Sequence, residues 1–134
     1  MKHQIILLGK DITSVYHGIK EFGPDHVHLL CTNETKEVAA PLFPLLPDGI
    51  RRTLYRTEPY DGEHVRNVCR KIHQTYPSAE FAYNLSEGTK VMAFAAFTIA
   101  KEYSVPAFYL SQLGELIRLD SFEKYPMQSQ LNNK

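Results

Sequence analysis

Phe81–Phe97, FAYNLSEGTKVMAFAAF, decides how the rest of the chain is read. Phe81-Ala82-Tyr83 is a short apolar run that ends in Asn84-Leu85, and it fits a buried strand. Ser86-Glu87-Gly88-Thr89-Lys90 is a tight polar turn, and the alanine-rich apolar segment after it reads as a helix. In an α/β sheet such a junction lies at the carboxyl end of a strand, where ligands bind. The helix opens with unpaired backbone N–H groups and the positive end of its dipole. Gly88 allows close approach of a ligand, and Ser86 and Thr89 add hydroxyls. Lys90 places a cation in the first turn, against the dipole preference, which points to an anion beside it. The turn reads as a phosphate cradle. The plain alternatives are helix capping for Ser86 and Thr89 and a surface lysine for Lys90.

Working outward, Gln4–Leu8 is a continuous apolar run suited to a strand buried on both faces. Gly9-Lys10-Asp11-Ile12-Thr13-Ser14 is the first turn, with Asp11 or Thr13 as cap of a helix that Gly23-Pro24 stops. His26–Cys31 reads as a second strand, with His26 and His28 on one face as strand-edge surface residues rather than a ligand pair. Thr32–Thr35 is a turn, and Pro41, Pro44 and Pro47 kink the helical segment that follows. Leu42, Phe43, Leu45 and Leu46 there either close the core or meet a partner. Arg52–Thr57 alternates as a third strand, and Asp61 caps an amphipathic helix through Tyr76 whose outer face carries Arg66, Arg70 and Lys71 as a solvated basic surface. The helix from Lys90 to about Tyr103 is apolar almost all round and calls for cover on more than one side, for which a second subunit is the expected source. Pro106–Leu110 and an antiparallel Glu115–Leu119 complete the set.

This alternation predicts an α/β, Rossmann-like three-layer sandwich: a mainly parallel sheet of about six strands with a C-terminal antiparallel hairpin. Residues 1–120 form the domain, and 121–134 read as a short, mobile polar tail. The first and fourth strand-to-helix turns then meet at the topological switch point as one site.

The chain has 134 residues and no formal net charge, so no global basic field steers it toward long nucleic acid. No apolar stretch reaches a membrane span and no signal-peptide layout opens the chain. Cys31 and Cys69 fit buried thiols of a reducing cytoplasm. No CxxC or HxxxH spacing suggests zinc, the cradle is not a P-loop because GxxxxGK[ST] is absent, and the absence of GxGxxG disfavours NAD.

The run Asn84–Phe97, NLSEGTKVMAFAAF, resembles the strand-four motif of CRISPR-associated Rossmann-fold sensor domains, matching at Asn84, Leu85, Ser86, Gly88, Thr89, Lys90, Met92 and Ala93. That motif is an Asn, an aliphatic residue, Thr or Ser, Gly-Gly, Thr-Lys and a Met-Ala-rich helix; Glu87 departs from it. The resemblance implies a homodimer holding one cyclic oligoadenylate, cyclic tetra-adenylate being the expected ring, across a twofold axis. It implies ligand contacts from Gly9, Lys10, Asp11, Ile12, Thr13 and Ser14, from Asn84 to Lys90, and from Met92. Family members often carry an effector domain after the sensor. This sequence ends without one, which suggests a ring nuclease, a sponge, or a sensor subunit of a separate effector.

Ring cleavage on this fold needs no metal, because a ribose 2′-OH attacks its own 3′ phosphate. Lys90 is then the charge stabiliser, Ser86 and Thr89 orient phosphate and ribose, and Ser14, Thr13 and Lys10 face the opposite side of the ring. Glu87 either points to solvent or takes the 2′-OH proton. A small α/β module binding a mononucleotide or a protein is the remaining class.

Overall fold

The computed structural model describes residues 1–127. β1 (Lys2–Leu7), β2 (His26–Cys31), β3 (Arg51–Arg56), β4 (Glu80–Asn84), β5 (Ala107–Leu110), β6 (Glu115–Arg118) and β7 (Lys124–Pro126) form a single sheet in the order β3-β2-β1-β4-β5-β6-β7. The β1–β2, β2–β3, β1–β4 and β4–β5 pairings are parallel, and β5–β6 and β6–β7 are antiparallel. α1 (Thr13–Phe22) and the short α2 (Ala39–Leu42) pack through one apolar cluster, and α3 (Gly62–Thr75) and α4 (Lys90–Glu102) through another.

β1, inside the sheet between β2 and β4, shows how an unbroken apolar run serves two cores. Side chains alternate along a strand, so Ile5 and Leu7 join Val65, Tyr83, Met92 and Ile99, while Ile6 and Leu8 join Val15, Ile19, Val27 and Leu29. α1 ends as expected at Gly23, a left-handed residue whose N–H bonds to Ile19 O. α3 is capped by Asp61, whose carboxylate accepts from His64 N at 3.1 Å. The proline-rich segment is broken into 3-10 turns at Lys36–Val38 and Phe43–Leu45 around α2. Leu42 and Leu46 are buried in the α1 core while Leu45 is exposed.

Some expectations change. β2 lies inside the sheet, because β3 takes the edge, so His26 and His28 are buried and not surface residues. The outer face of α3 is partly tied down: Arg70 makes a forked pair with Glu102 of α4, both contacts at 3.1 Å. The sheet also runs past residue 120. Arg118 N–H bonds to Glu123 O at 2.9 Å, Met127 N–H bonds to Gly114 O at 3.1 Å, and the Met127 side chain is buried beside Ala82, Phe108 and Leu110. The other residues expected in the tail, 128–134, lie outside the described residues. Cys31 and Cys69 are buried free thiols, and burial pushes the Cys69 thiol up to about 12.

Candidate functional site

β1 and β4 are neighbours whose helices, α1 and α4, lie on opposite faces, so the turns that follow them meet at the switch point. Asn84, buried at the end of β4, joins them. Its Nδ2 donates to Ser14 O at 3.2 Å, and its Oδ1 accepts from Ser86 N at 3.1 Å and Ser86 Oγ at 2.6 Å. Ser86 Oγ also accepts from Leu110 N at 2.8 Å, which ties the turn to β5. Its hydroxyl is therefore engaged on both sides by the framework.

The turn is fitted closely against the first one. Gly88 has φ +87°, and a Cβ there would lie 3.0 Å from Leu7 Cβ. A Cβ at Gly9 would lie 2.9 Å from Glu87 Cβ and closer still to its carboxylate. Glu87 therefore folds back over the first turn instead of extending into solvent. Burial raises its carboxyl above the usual range and the nearby Asp11 charge adds to this, while the Asp11 backbone N–H opposes both.

Thr89 is the N-cap of α4. Its Oγ1 accepts from Met92 N at 3.1 Å and donates to Pro59 O, tethering the helix to the loop after β3. The amides of Gly88, Thr89, Lys90 and Val91 make no hydrogen bond among the described residues, and the Lys90 side chain is exposed next to them. They form the positive end that the sequence predicts.

Two basins flank this helix end. A cleft of about 550 Å³ is lined by Gly9, Lys10, Glu87, Gly88, Thr89 and Met92, together with Thr32–Thr35 and Glu58–Tyr60. On the other side, Leu85, Lys90, Ala93, Phe94, Phe97, Tyr109 and Leu119 line an apolar groove of about 670 Å³. Phe94 is 71% exposed there, and Val91 beside it is 40% exposed. A smaller basin of about 270 Å³ takes in Asp11, Thr13, Ser14, Ser86 and Glu87, and the Ser14 hydroxyl is buried without a partner. Ile12 lines none of these three basins and packs on the α1 core.

The loops after β2 and β3 were missed as site residues. Tyr60 is 78% exposed at the rim, and Glu34 and Glu58 join Glu87 around the cleft, against Lys10 alone among its lining cations. Their signal was topological: each follows a strand of the same parallel set, so each arrives at the same edge.

No protein-family model and no curated protein matches the chain. Solved structures do. Can2 from Sulfobacillus thermosulfidooxidans, in complex with cyclic tetra-adenylate, matches 95% of this chain with TM-score 0.84 and 21% identity. Csm6 from Enterococcus italicus, bound to cyclic hexa-2′-fluoro-hexa-dAMP, matches 84% with TM-score 0.71 and 15% identity. A type III CRISPR defence DNA nuclease activated by cyclic oligoadenylate matches 93% with TM-score 0.76 and 22% identity. The chain spans 37%, 34% and 20% of those proteins, respectively. The architecture agrees with these matches: the chain has the α/β, Rossmann-like fold they share, a mainly parallel sheet continued by antiparallel C-terminal strands.

Proposed function

We propose that the chain binds cyclic oligoadenylate between two copies of itself and cleaves the ring slowly without a metal. The observation that carries this is the amino end of α4: free amides at Gly88–Val91 and exposed Lys90, set between a polar cleft and an apolar groove. Phosphates belong at the amides and Lys90. The acid-rich cleft suits hydrogen-bond donors, namely an adenine amino group and ribose hydroxyls, better than phosphate. The exposed Val91 and Phe94 and the groove beside them give a second subunit its apolar contact. Such a dimer presents each half of a symmetric ring to the same residues.

For cleavage, a 2′-OH attacks the adjacent 3′ phosphate, the 5′ oxygen leaves, and a 2′,3′-cyclic phosphate remains. Glu87, its carboxyl raised by burial, takes the 2′-OH proton. Lys90 stabilises charge on the phosphoryl oxygens. Ser14 Oγ is buried without a protein partner and reaches the ring only if the first turn shifts, whereas Thr13 beside it is exposed, and Ser86 holds the fourth turn. A non-enzymatic sensor or sponge uses the same cradle without Glu87 as a base.

The test is to incubate the protein with labelled cyclic tetra- and hexa-adenylate in chelator and to follow mass, binding stoichiometry and ring products. One ring per dimer and slow appearance of linear product ending in a 2′,3′-cyclic phosphate are expected. Intact ring after long exposure rejects cleavage and leaves the binder. A monomer with no thermal shift on either ring rejects the whole reading.

A further inference from the structure

At the opposite end of the sheet from the cleft, His3 of β1 and His26 and His28 of β2 form a buried cluster. One nitrogen from each lies within 4.8 Å of the others. The cause is register: His3 pairs with His26 across the sheet, and period-two alternation puts His28 on the same face. His28 stacks on His26 and His3, with centroids 4.1 Å and 5.1 Å apart, and His3 and His26 are tilted, with centroids 4.9 Å apart.

The geometry points to a metal site: His3, His26 and His28 together bind one divalent transition ion of the zinc class. His3 Nδ1 and His28 Nε2 are 2.9 Å apart. Two nitrogens on one ion at ~2.0–2.1 Å sit ~2.9–3.4 Å from each other, so this pair already has ligand spacing. Without metal the two nitrogens share one proton; a metal displaces that proton and takes both lone pairs. His26 Nε2 is held by Thr53 Oγ1 at 2.8 Å, and its Nδ1 is buried without a partner. A buried imidazole nitrogen with no hydrogen bond calls for a partner, and an ion at the cluster would supply one.

The supporting partners are also present. Thr53 Oγ1 on His26 and Tyr55 OH on His28, at 2.8 Å, fix each ring through its distal nitrogen, as outer partners of metal-bound histidines do. Tyr76 and Phe81 pack on the rings and limit water around them. All three donors are imidazoles, which favours zinc, nickel or copper over magnesium or calcium and leaves a fourth position for water. Neither Thr53 nor any of the three histidines lines the cleft, so this site stands or falls apart from the cyclic-nucleotide reading.

The test uses full-length protein stripped with chelator and titrated with cobalt, then zinc. One cobalt per chain with a visible ligand-field spectrum is expected, along with a rise in melting temperature on adding zinc. Zinc should move the imidazole nitrogen resonances of His3, His26 and His28 in wild-type protein and leave that of His64 in place. Thr53→Val, which removes an outer hydroxyl, should weaken cobalt binding ~10-fold. His64→Gln should bind like wild type. The proposal is overturned if the stripped wild type takes up no stoichiometric cobalt, or if zinc moves the His64 resonance and not the cluster.

Discussion

Replacing Ser86 by alanine removes one hydroxyl with two partners, and the consequence follows from where they lie. Ser86 Oγ accepts from Leu110 N–H at 2.8 Å and donates to Asn84 Oδ1 at 2.6 Å. Leu110 is 6% exposed, so water has poor access to the freed amide. A buried donor left unpaired costs ~1–3 kcal/mol. Asn84 Oδ1 keeps Ser86 N–H, so its loss is one ordinary bond of ~0.5–1 kcal/mol. The sum is about 3 kcal/mol, or a melting temperature lower by ~9–15 °C in a domain of this size. Urea and thermal unfolding followed by circular dichroism measure it. Ser111→Ala is the comparison: its Oγ accepts from Leu113 N and Glu115 N at 3.2 Å each, in a hairpin turn where water can substitute, and about half the effect is expected. If Ser86→Ala unfolds within ~0.5 kcal/mol of wild type yet abolishes ring cleavage, the hydroxyl is a reacting group and its assignment to the framework is wrong.

Gly88→Ala should destabilise by ~2–3 kcal/mol, from a positive φ and a Cβ pressed on Leu7, and denaturant midpoints check it. Lys90→Ala, at an exposed position, should leave the melting temperature unchanged and weaken ring binding roughly tenfold by calorimetry. Glu87→Gly should tighten ring binding while removing turnover; unchanged turnover discards the base. Burial holds His73, bonded to Tyr83 OH at 2.9 Å, at about 4, below the unfolded value of 6.5. A depressed base contributes stability that is whole above about 6.5 and is lost as pH falls toward 4. An imidazole resonance of His73 titrating near 6.5 in the folded protein would refute this.

Local pattern carried most of the architecture. Apolar runs at Gln4–Leu8 and His26–Cys31, Gly23 after α1, Asp61 before α3 and the turn from Asn84 to Lys90 each act within a few residues, so each could be read in isolation. The meeting of the first and fourth turns was legible too, because right-handed parallel topology dictates it. What a side chain does there was not. Ser86 and Thr89 have the composition of a phosphate cradle, but Leu110 N–H and Pro59 O, distant in sequence, take up their hydroxyls. Glu87 bends over Gly9 because that glycine leaves room for it.

The histidines show the division most plainly. Sequence alone established that His26 and His28 share a strand face, since alternation is a property of the chain. Whether that face met solvent depended on which strand took the sheet edge, and β3 took it. That His3 joined them depended on the β1–β2 register, a contact across 23 residues that no local preference encodes. Burial and pairing are properties of the whole sheet, and only the tertiary structure settles them.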